Sequence, residues 1–412
     1  MDTITTLHSP AFVNKVQTAK EYMNWFLYWG QVLSGVVTSD PFSRDDNLAG
    51  PTENNCIWTG YHMMTLCYQF AATWDTSITQ KAQETYRALL RLQEVTGEKH
   101  LIARSFRPPE SKTRENDELD AFFARGRRNF SHEINKISEQ SVLTATSKGQ
   151  MEGWLHGLWT YYDSGMCSDA EKSEIQEVVK EVIGGYVEHG YEIIDLDNKP
   201  TDQWSHKNSD HKLKAWVVDF GTYARKLALL KIAHHITQDS FFGDEYQRVY
   251  SNLLVWISWR WVFTRMHPGE ALRRLISRKQ NYPSYHLEAL AIEALARYEP
   301  DNAAFQTMLT HLGQWSETKW FIPFTQWTPS EKSVQQLQEM QICKIFQVIC
   351  SKPERKRGSM HDTSRQGEEF VWRCATNRHL VYPLKWENSM PGSMDFSPLD
   401  FLFAYWKLRA QK

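Results

Sequence analysis

The sequence predicts an all-α fold, built as a ring of helical hairpins with short β excursions in the loops. Three observations predict it. Apolar residues recur at the helical period along nearly all of the 412 residues. Helices that are apolar on most sides alternate with amphipathic ones, as the inner and outer helices of a ring would. No linker rich in Pro, Gly or Ser divides the chain, so residues 1–412 are expected to form one domain.

The first elements follow this alternation. Residues 11–37 are predicted to form one long helix, and residues 57–75 a second helix that is apolar around most of its circumference. Residues 77–97 are amphipathic, with Ser77 placed as the N-cap and Gly97 as the end of the helix.

The pattern resumes after a polar loop. Residues 149–165 are apolar on most sides, and residues 168–190 are amphipathic. Ser168 and Glu171 have the spacing of a capping box at the start of that second helix. Further helices are predicted for the segments 211–239, 243–265, 284–300, 301–317, 330–350 and 397–412.

The bulk composition narrows the class of protein. A formal net charge of −2 gives no indication of a nucleic acid or an anionic membrane as partner. No run of about 18 apolar residues is present, and the first residues lack the pattern of a signal peptide. The six cysteines are scattered without a C-x-x-C pair, which is typical of free thiols in a reducing compartment. We expect a cytoplasmic protein without metal or cofactor, acting on a small molecule; its oligomeric state stays open.

One loop, "GYEIIDLDNKPTDQWSHKN" from Gly190 to Asn208, carries four acidic residues. Asp195 and Asp197 alternate along it and are predicted to form and solvate a hairpin turn, away from any site. Trp204 and His206 stand where the chain enters an inner helix, so they are predicted to face a site.

Several segments together resemble a known family. They are "ENNCIWTGYHMMTLCYQF", "LQEVTGEKHLIARSF", "YVEHGYEIIDLDNKPTDQW", "LLKIAHHITQD", "NYPSYHLEALAIEALARYEPD" and "PLDFLFAYWKLR". In this order they resemble a bacterial family of (α/α)6-toroid proteins, similar to six-hairpin glycosidases and to uronate-handling hydrolases and lyases. The resemblance covers roughly residues 50–410. It implies an (α/α)6 toroid with a funnel-shaped site at one mouth of the ring, lined by the loops that lead into the inner helices.

The resemblance assigns two sets of funnel residues. The catalytic set is Glu152, His156, Tyr282 and His286. The substrate-binding set is Glu53, Asn55, Trp58, Arg104, Trp154, Trp204, His206 and Tyr285. The chain departs from the family where acids are favoured: Asn55 replaces one acid of a pair, Lys148 and Gln150 stand in an otherwise acidic run, and "NYPSYHL" replaces an acidic cluster.

The surviving residues suit acid/base chemistry. Hydrolysis of a glycoside usually needs two carboxylates, whereas elimination from a uronate needs a base and a group that neutralises the carboxylate. Glu152 and His156 share a helix face at i and i+4, as an acid/base pair or as an ordinary interhelical hydrogen-bond pair. Arg104 can clamp a carboxylate, or form a structural ion pair with an acid such as Glu53.

The aromatic residues at helix entries, Trp58, Trp154, Trp204 and Tyr282, leave three functions open. They suit stacking on sugar rings, and therefore a hydrolase or lyase acting on a short acidic saccharide. They equally suit a cyclase, isomerase or dehydratase that protonates an apolar, terpenoid-like molecule. The lost acids favour a third function, a binding protein without catalysis.

Other functional motifs are absent from the sequence or give weaker indications of function. The sequence has no G-x-S-x-G, no P-loop and no G-x-G-x-x-G. The histidines near Asp202 match no zinc spacing. Residues 352–370 are interpreted as a solvated surface loop, with a mobile lid as the functional alternative.

Overall fold

The computed structural model of the chain is predominantly helical, with a few short strands. It describes residues 10–24, 27–32, 35–38, 47–48, 55–107, 134–137, 140–201, 220–251, most of 287–299, 393–396 and 399–410. The helical character predicted from the sequence is therefore confirmed for the described residues, as are short strands between helices.

The helices are α1 (Pro10–Met23), α2 (Asn55–Thr73), α3 (Ser77–Glu94), α4 (Lys148–Tyr162), α5 (Asp169–Glu188), α6 (Phe220–Thr237) and α7 (Leu399–Ala410). Residues 240–251 and most of 287–298 are also helical. The strands are β1 (Leu27–Tyr28), β2 (Gln31–Val32), β3 (Gly35–Thr38), β4 (Asn47–Leu48), β5 (Ser105–Arg107), β6 (Ile134–Ile137), β7 (Gln140–Leu143) and β8 (Ser393–Phe396). None of the described helices combines the length and apolarity that a bilayer crossing requires.

The strands form three small antiparallel sheets. β1 pairs with β2, the second sheet has the order β4-β3-β8, and the third has the order β5-β7-β6. In the second sheet Gly35 is opposite Phe396 and Thr38 is opposite Ser393, so residues from near the two ends of the chain are hydrogen-bonded together. In the third sheet Ser105 is opposite Leu143, which places Arg104 beside the segment that leads into α4.

The predicted single helix over residues 11–37 is wrong. α1 ends at Met23, and a two-residue turn at Trp29 and Gly30 joins β1 to β2. Both turn residues have positive φ, 53° and 77°, which is the signature of a type I′ hairpin turn. A Cβ at Gly30 would lie 2.7 Å from the carbonyl oxygen of Glu84, so this tip packs against the backbone of α3 and only glycine fits there.

α2 is the central helix of its unit, and it packs against α4, α7 and α3. The crossing with α4 is close because it is made by glycines. A Cβ at Gly60 would lie 1.9 Å from the carbonyl oxygen of Gly153, and a Cβ at Gly157 would lie 2.7 Å from the Cα of Gly60. The two backbones therefore touch directly, which fixes where the first turns of α2 and α4 lie relative to each other.

Of the two helix starts that the sequence predicted, the start of α5 is confirmed and the N-cap of α3 is wrong. The capping box of α5 is confirmed, since Ser168 accepts from the Glu171 amide and the Glu171 carboxylate accepts from the Ser168 amide. The N-cap at Ser77 is wrong by one residue. Ser77 is the first residue of α3, and its amide donates to the Asp75 carboxylate over 3.0 Å.

The chain divides into two compact units. Among the described residues, the first unit holds everything up to residue 201 together with residues 393–410, and the second holds 220–251 and 287–299. The single domain of residues 1–412 stays a prediction. The loop at 352–370 and the helices predicted for 301–317 and 330–350 lie outside the described residues.

Candidate functional site

Arg104 joins the first turn of α2 to the segment before α4. Its carbonyl oxygen accepts from the Cys56 amide over 2.8 Å, and its own amide donates to Leu143 over 2.8 Å. Its side chain is buried, and Nε donates to the Ala145 carbonyl over 2.8 Å. Arg104 therefore lies between the start of α2 and the segment that leads into α4, and its place in a funnel stays a prediction.

Gln150 caps an amide in the first turn of α2. Its side-chain Oε1 accepts from the Ile57 amide over 2.9 Å, and its carbonyl accepts from the Cys56 thiol over 3.5 Å. An amide of the first turn is thus satisfied by a side chain from α4. The glutamine that departs from the acidic run of the resembled family has a clear structural task here.

Lys148, Glu152 and His156 form a buried stripe along α4. They are spaced at i, i+4 and i+8, which puts them on one face of the helix. Their exposed fractions are 8%, 2% and 2%. Ionisable side chains are rarely this buried, and a group of them needs pairing or a function to compensate for lost hydration. We call Arg104, Lys148, Glu152 and His156 the polar stripe.

The hydrogen bond of the His156 ring fixes its tautomer. Nδ1 lies 2.8 Å from the Glu152 carbonyl oxygen, which can only accept. Nδ1 therefore carries the hydrogen, and in the neutral ring Nε2 carries the lone pair. A histidine held in this way has its basic nitrogen directed away from the backbone of its own helix.

The other predicted residues of the first unit lie on α2 and α4. Asn55 is the first residue of α2 and is fully buried. The rings of Trp58 and Tyr61 are tilted against each other with centroids 5.5 Å apart, and Tyr61 in turn contacts Phe403 of α7 at 5.2 Å. Trp154 is buried on the opposite side, where its indole nitrogen donates to the Leu89 carbonyl of α3 over 2.9 Å. The structure thus gives Trp154 a packing contact, and its role in substrate binding stays a prediction.

The loop predicted to be a hairpin turn is one. Ile194 and Pro200 pair as an isolated antiparallel bridge, and Asn198 has a left-handed φ of 60°. Asp195 does more than form the turn, because its Oδ2 accepts from the Ala145 amide over 2.8 Å. Ala145 has a φ of 56°, a backbone conformation that an alanine adopts at a cost. Asp195 therefore holds the strained residue whose carbonyl binds Arg104.

Asp195→Asn is expected to lower the free energy of unfolding by about 1 to 3 kcal/mol. The carboxylate accepts from two amides, through Oδ2 from Ala145 and through Oδ1 from Leu196. An asparagine has one acceptor oxygen and must turn an NH2 group toward the other amide. Urea unfolding measures the effect. Asp197→Asn, which changes an exposed carboxylate of the same hairpin, is the control and should leave the midpoint unchanged. Equal midpoints for both variants would contradict the role of Asp195.

The cysteines of the described residues do not suit nucleophilic chemistry. Cys56, Cys67 and Cys167 are buried free thiols. Burial raises the pKa of each thiol well above its ordinary value, so the reactive thiolate is disfavoured. Within the described residues, no group of three or more His, Cys, Asp and Glu is placed to hold a metal ion.

Several predicted site residues lie outside the described residues. They are Glu53, Trp204, His206, Tyr282, Tyr285 and His286.

Sequence reasoning also missed residues that build the site. The G-x-x-x-G spacing of Gly153 and Gly157 was a usable signal for a close helix crossing. The long-range contacts of Asp195 and Gln150 left no local signal.

Comparison of the chain with family models, with curated proteins and with solved structures gives no match in any of the three. The site is therefore interpreted from its own residues.

Proposed function

We propose that the protein is an enzyme that cleaves a short acidic saccharide by acid/base chemistry, on an (α/α)6 toroid. The observation that carries the proposal is the polar stripe. Lys148, Glu152 and His156 lie buried along one face of α4, and Arg104 lies buried beside the segment that leads into α4.

The charges of the stripe favour an anionic substrate over an apolar one. Arg104 and Lys148 are cations, and the N-terminal ends of α2 and α4 add positive potential beside them. A guanidinium binds a carboxylate through two parallel hydrogen bonds. A uronate carboxylate matches the positive charge of this environment, whereas an apolar terpenoid carries no charge to complement it.

Glu152 and His156 supply the two proton-transfer groups. His156 Nε2 is the basic nitrogen of the neutral ring and can take a proton from carbon or from water. The Glu152 carboxyl can give a proton to the leaving oxygen or take one up. Elimination needs a single base and a neutralised substrate carboxylate, so it matches one acid and one histidine better than hydrolysis by two carboxylates does.

A screen of acidic and neutral oligosaccharides, with apolar terpenoids included, tests this proposal. Reducing ends and ultraviolet absorbance are followed together, because only elimination creates an unsaturated uronate that absorbs. We expect turnover of an acidic saccharide with absorbance gained. Turnover of an apolar substrate alone would overturn the proposal in favour of a cyclase or isomerase. Saccharide binding without turnover would overturn it in favour of a binding protein.

Glu152→Gln is expected to lower the turnover of that substrate by at least about 100-fold, with folding intact. Glutamine keeps the shape of the side chain and removes its titratable proton. The thermal midpoint should stay near that of the unchanged protein. Glu188→Gln, at the exposed end of α5, is the matched control and should keep full activity. Undiminished turnover by Glu152→Gln would refute the assignment of Glu152.

A further inference from the structure

A second feature of the first unit lies on its surface, on different residues from the polar stripe. A cleft of about 760 Å³ runs between the β1–β2 turn and the exposed face of α3, and we call it the turn cleft. This volume falls in the range of small-molecule sites. Its lining side chains include Trp29, Gln80, Gln83, Glu84, Arg87 and Glu171.

Trp29 lies at the edge of the turn cleft, where its side chain is exposed and its backbone conformation is unfavourable. Its side chain is 50% exposed, so burial returns little of the free energy that a tryptophan can supply. Its φ of 53° is a conformation in which a bulky side chain is a rare outlier, and asparagine is the residue that this turn position favours. A strained and exposed indole contributes little to folding, and at the edge of a cleft it is available to a ligand.

The turn that carries Trp29 is held rigidly. Gly30 packs on the backbone of α3, as described above. Next to it, the buried Gln31 amide donates to the Phe106 carbonyl over 2.9 Å and accepts from the Phe106 amide over 3.2 Å. The Val32 amide donates to Thr59 of α2 over 2.9 Å. The indole is therefore presented from a fixed position, so little conformational freedom is lost when a ligand binds.

The floor of the cleft is polar and partly preorganised. The Gln80 amide donates to Glu84 over 3.1 Å. Arg87 lies over the Tyr86 ring at 4.9 Å, and its Nη1 donates to both carboxylate oxygens of Glu174. A guanidinium carries further N–H donors on Nε and Nη2. Amide, carboxylate and guanidinium groups thus stand beside one flat apolar surface.

We propose that the turn cleft binds a neutral oligosaccharide, with Trp29 as the platform for one sugar ring. One face of a pyranose ring is a layer of C–H groups that packs on an indole, and the hydroxyl groups around its rim both donate and accept. The amides of Gln80 and Gln83 match such hydroxyls. Arg87 is paired with Glu174, so the carboxylates of Glu84 and Glu171 leave the lining negatively charged, and a neutral sugar is favoured over an acidic one.

Fluorine NMR of protein labelled with fluorotryptophan tests the proposal directly. The Trp29 resonance is identified by its loss in Trp29→Phe, which is needed because the chain has 17 tryptophans. Cellotetraose, xylotetraose, chitotetraose and tetragalacturonate are titrated in turn. We expect a saturable shift of the Trp29 resonance with at least one neutral probe, and a weaker shift with tetragalacturonate. The Trp74 resonance should not move, although Trp74 is 75% exposed and has a φ of 54°, because it lies away from the cleft.

Two variants separate binding from folding. Trp29→Asn places the favoured residue in the turn, so the thermal midpoint should be kept or raised while affinity for the neutral probe falls at least about tenfold. Gln83→Ala should lower the affinity severalfold without any change in the turn. Trp74→Ala should bind the probe as the unchanged protein does.

Four results would overturn the proposal. The Trp29 resonance could stay fixed with all neutral probes, or Trp29 and Trp74 could shift alike. A preference for tetragalacturonate would refute a neutral ligand, and a shift caused by a proline-rich peptide alone would refute a saccharide. The measurement is of binding, so its outcome is independent of whether the polar stripe is catalytic.

Discussion

Gly60→Ala is expected to lower the free energy of unfolding by about 3 kcal/mol or more, a large fraction of the roughly 5 to 15 kcal/mol that stabilises a folded protein. The added Cβ would lie 1.9 Å from the carbonyl oxygen and 2.5 Å from the carbonyl carbon of Gly153. Both atoms belong to the α4 backbone, so no rotamer change relieves the overlap and the helices must separate. Separation would also break the hydrogen bond from the Ile57 amide to Gln150. Urea unfolding and the yield of soluble protein measure the effect.

Gly243→Ala provides the matched comparison. Gly243 is also helical, but the nearest atom to its added Cβ is Cε1 of the His234 ring at 3.2 Å, a side chain that can turn slightly. Alanine favours a helix over glycine by about 1 kcal/mol, so this variant should be as stable as the unchanged protein or more so. A Gly60→Ala protein that unfolds at the normal urea concentration would contradict the backbone contact between α2 and α4.

Acid is expected to destabilise the protein through His62, by about 3 kcal/mol between pH 7 and pH 4. His62 lies on α2 and is 5% exposed, and among the described residues neither ring nitrogen has a hydrogen-bond partner. Burial, with a smaller effect from the nearby positive charge of Lys81, lowers the pKa of His62 to about 3.

The sign follows from which state binds the proton. In the unfolded chain His62 titrates near pH 6.5, whereas in the folded protein it stays neutral until about pH 3. Between these values the unfolded state binds more protons, so stability falls as the pH falls through this window and is unaffected above it. Carboxylates also make the free energy of unfolding depend on pH in this range. The difference between the unchanged protein and His62→Leu, measured by urea unfolding across the window, isolates the histidine. Parallel curves for the two proteins would refute the prediction.

Local signals in the sequence predicted the helices well. α2 through α5 were found because their apolar residues recur at the helical period, and the start of α5 because Ser168 and Glu171 form a capping box. The β1–β2 hairpin was missed for a physical reason. Its turn uses Trp29 where asparagine or aspartate would have signalled a reversal, and the flanking residues are apolar enough to extend a helix.

Within the candidate site, the sequence could predict only the residues that share one face of a helix. The i, i+4 spacing of Glu152 and His156 placed both side chains together. The position of Arg104 depends on the register of β5 against β7, and Ala145 is held by an aspartate 50 positions away. Such contacts between distant residues follow from the tertiary fold, and no periodicity in a single sequence encodes them.

The pairing of β3 with β8 bears on how the protein is made in the cell. β3 is translated long before its partner strand Ser393–Phe396, and α7 comes later still. Until residues 393–410 emerge, one edge of β3 and the side of α2 that α7 covers remain without their partners. Exposed edges and apolar helix faces promote association between chains. We therefore expect a chain that stops before residue 393 to leave this strand edge and this helix face uncovered, and to aggregate.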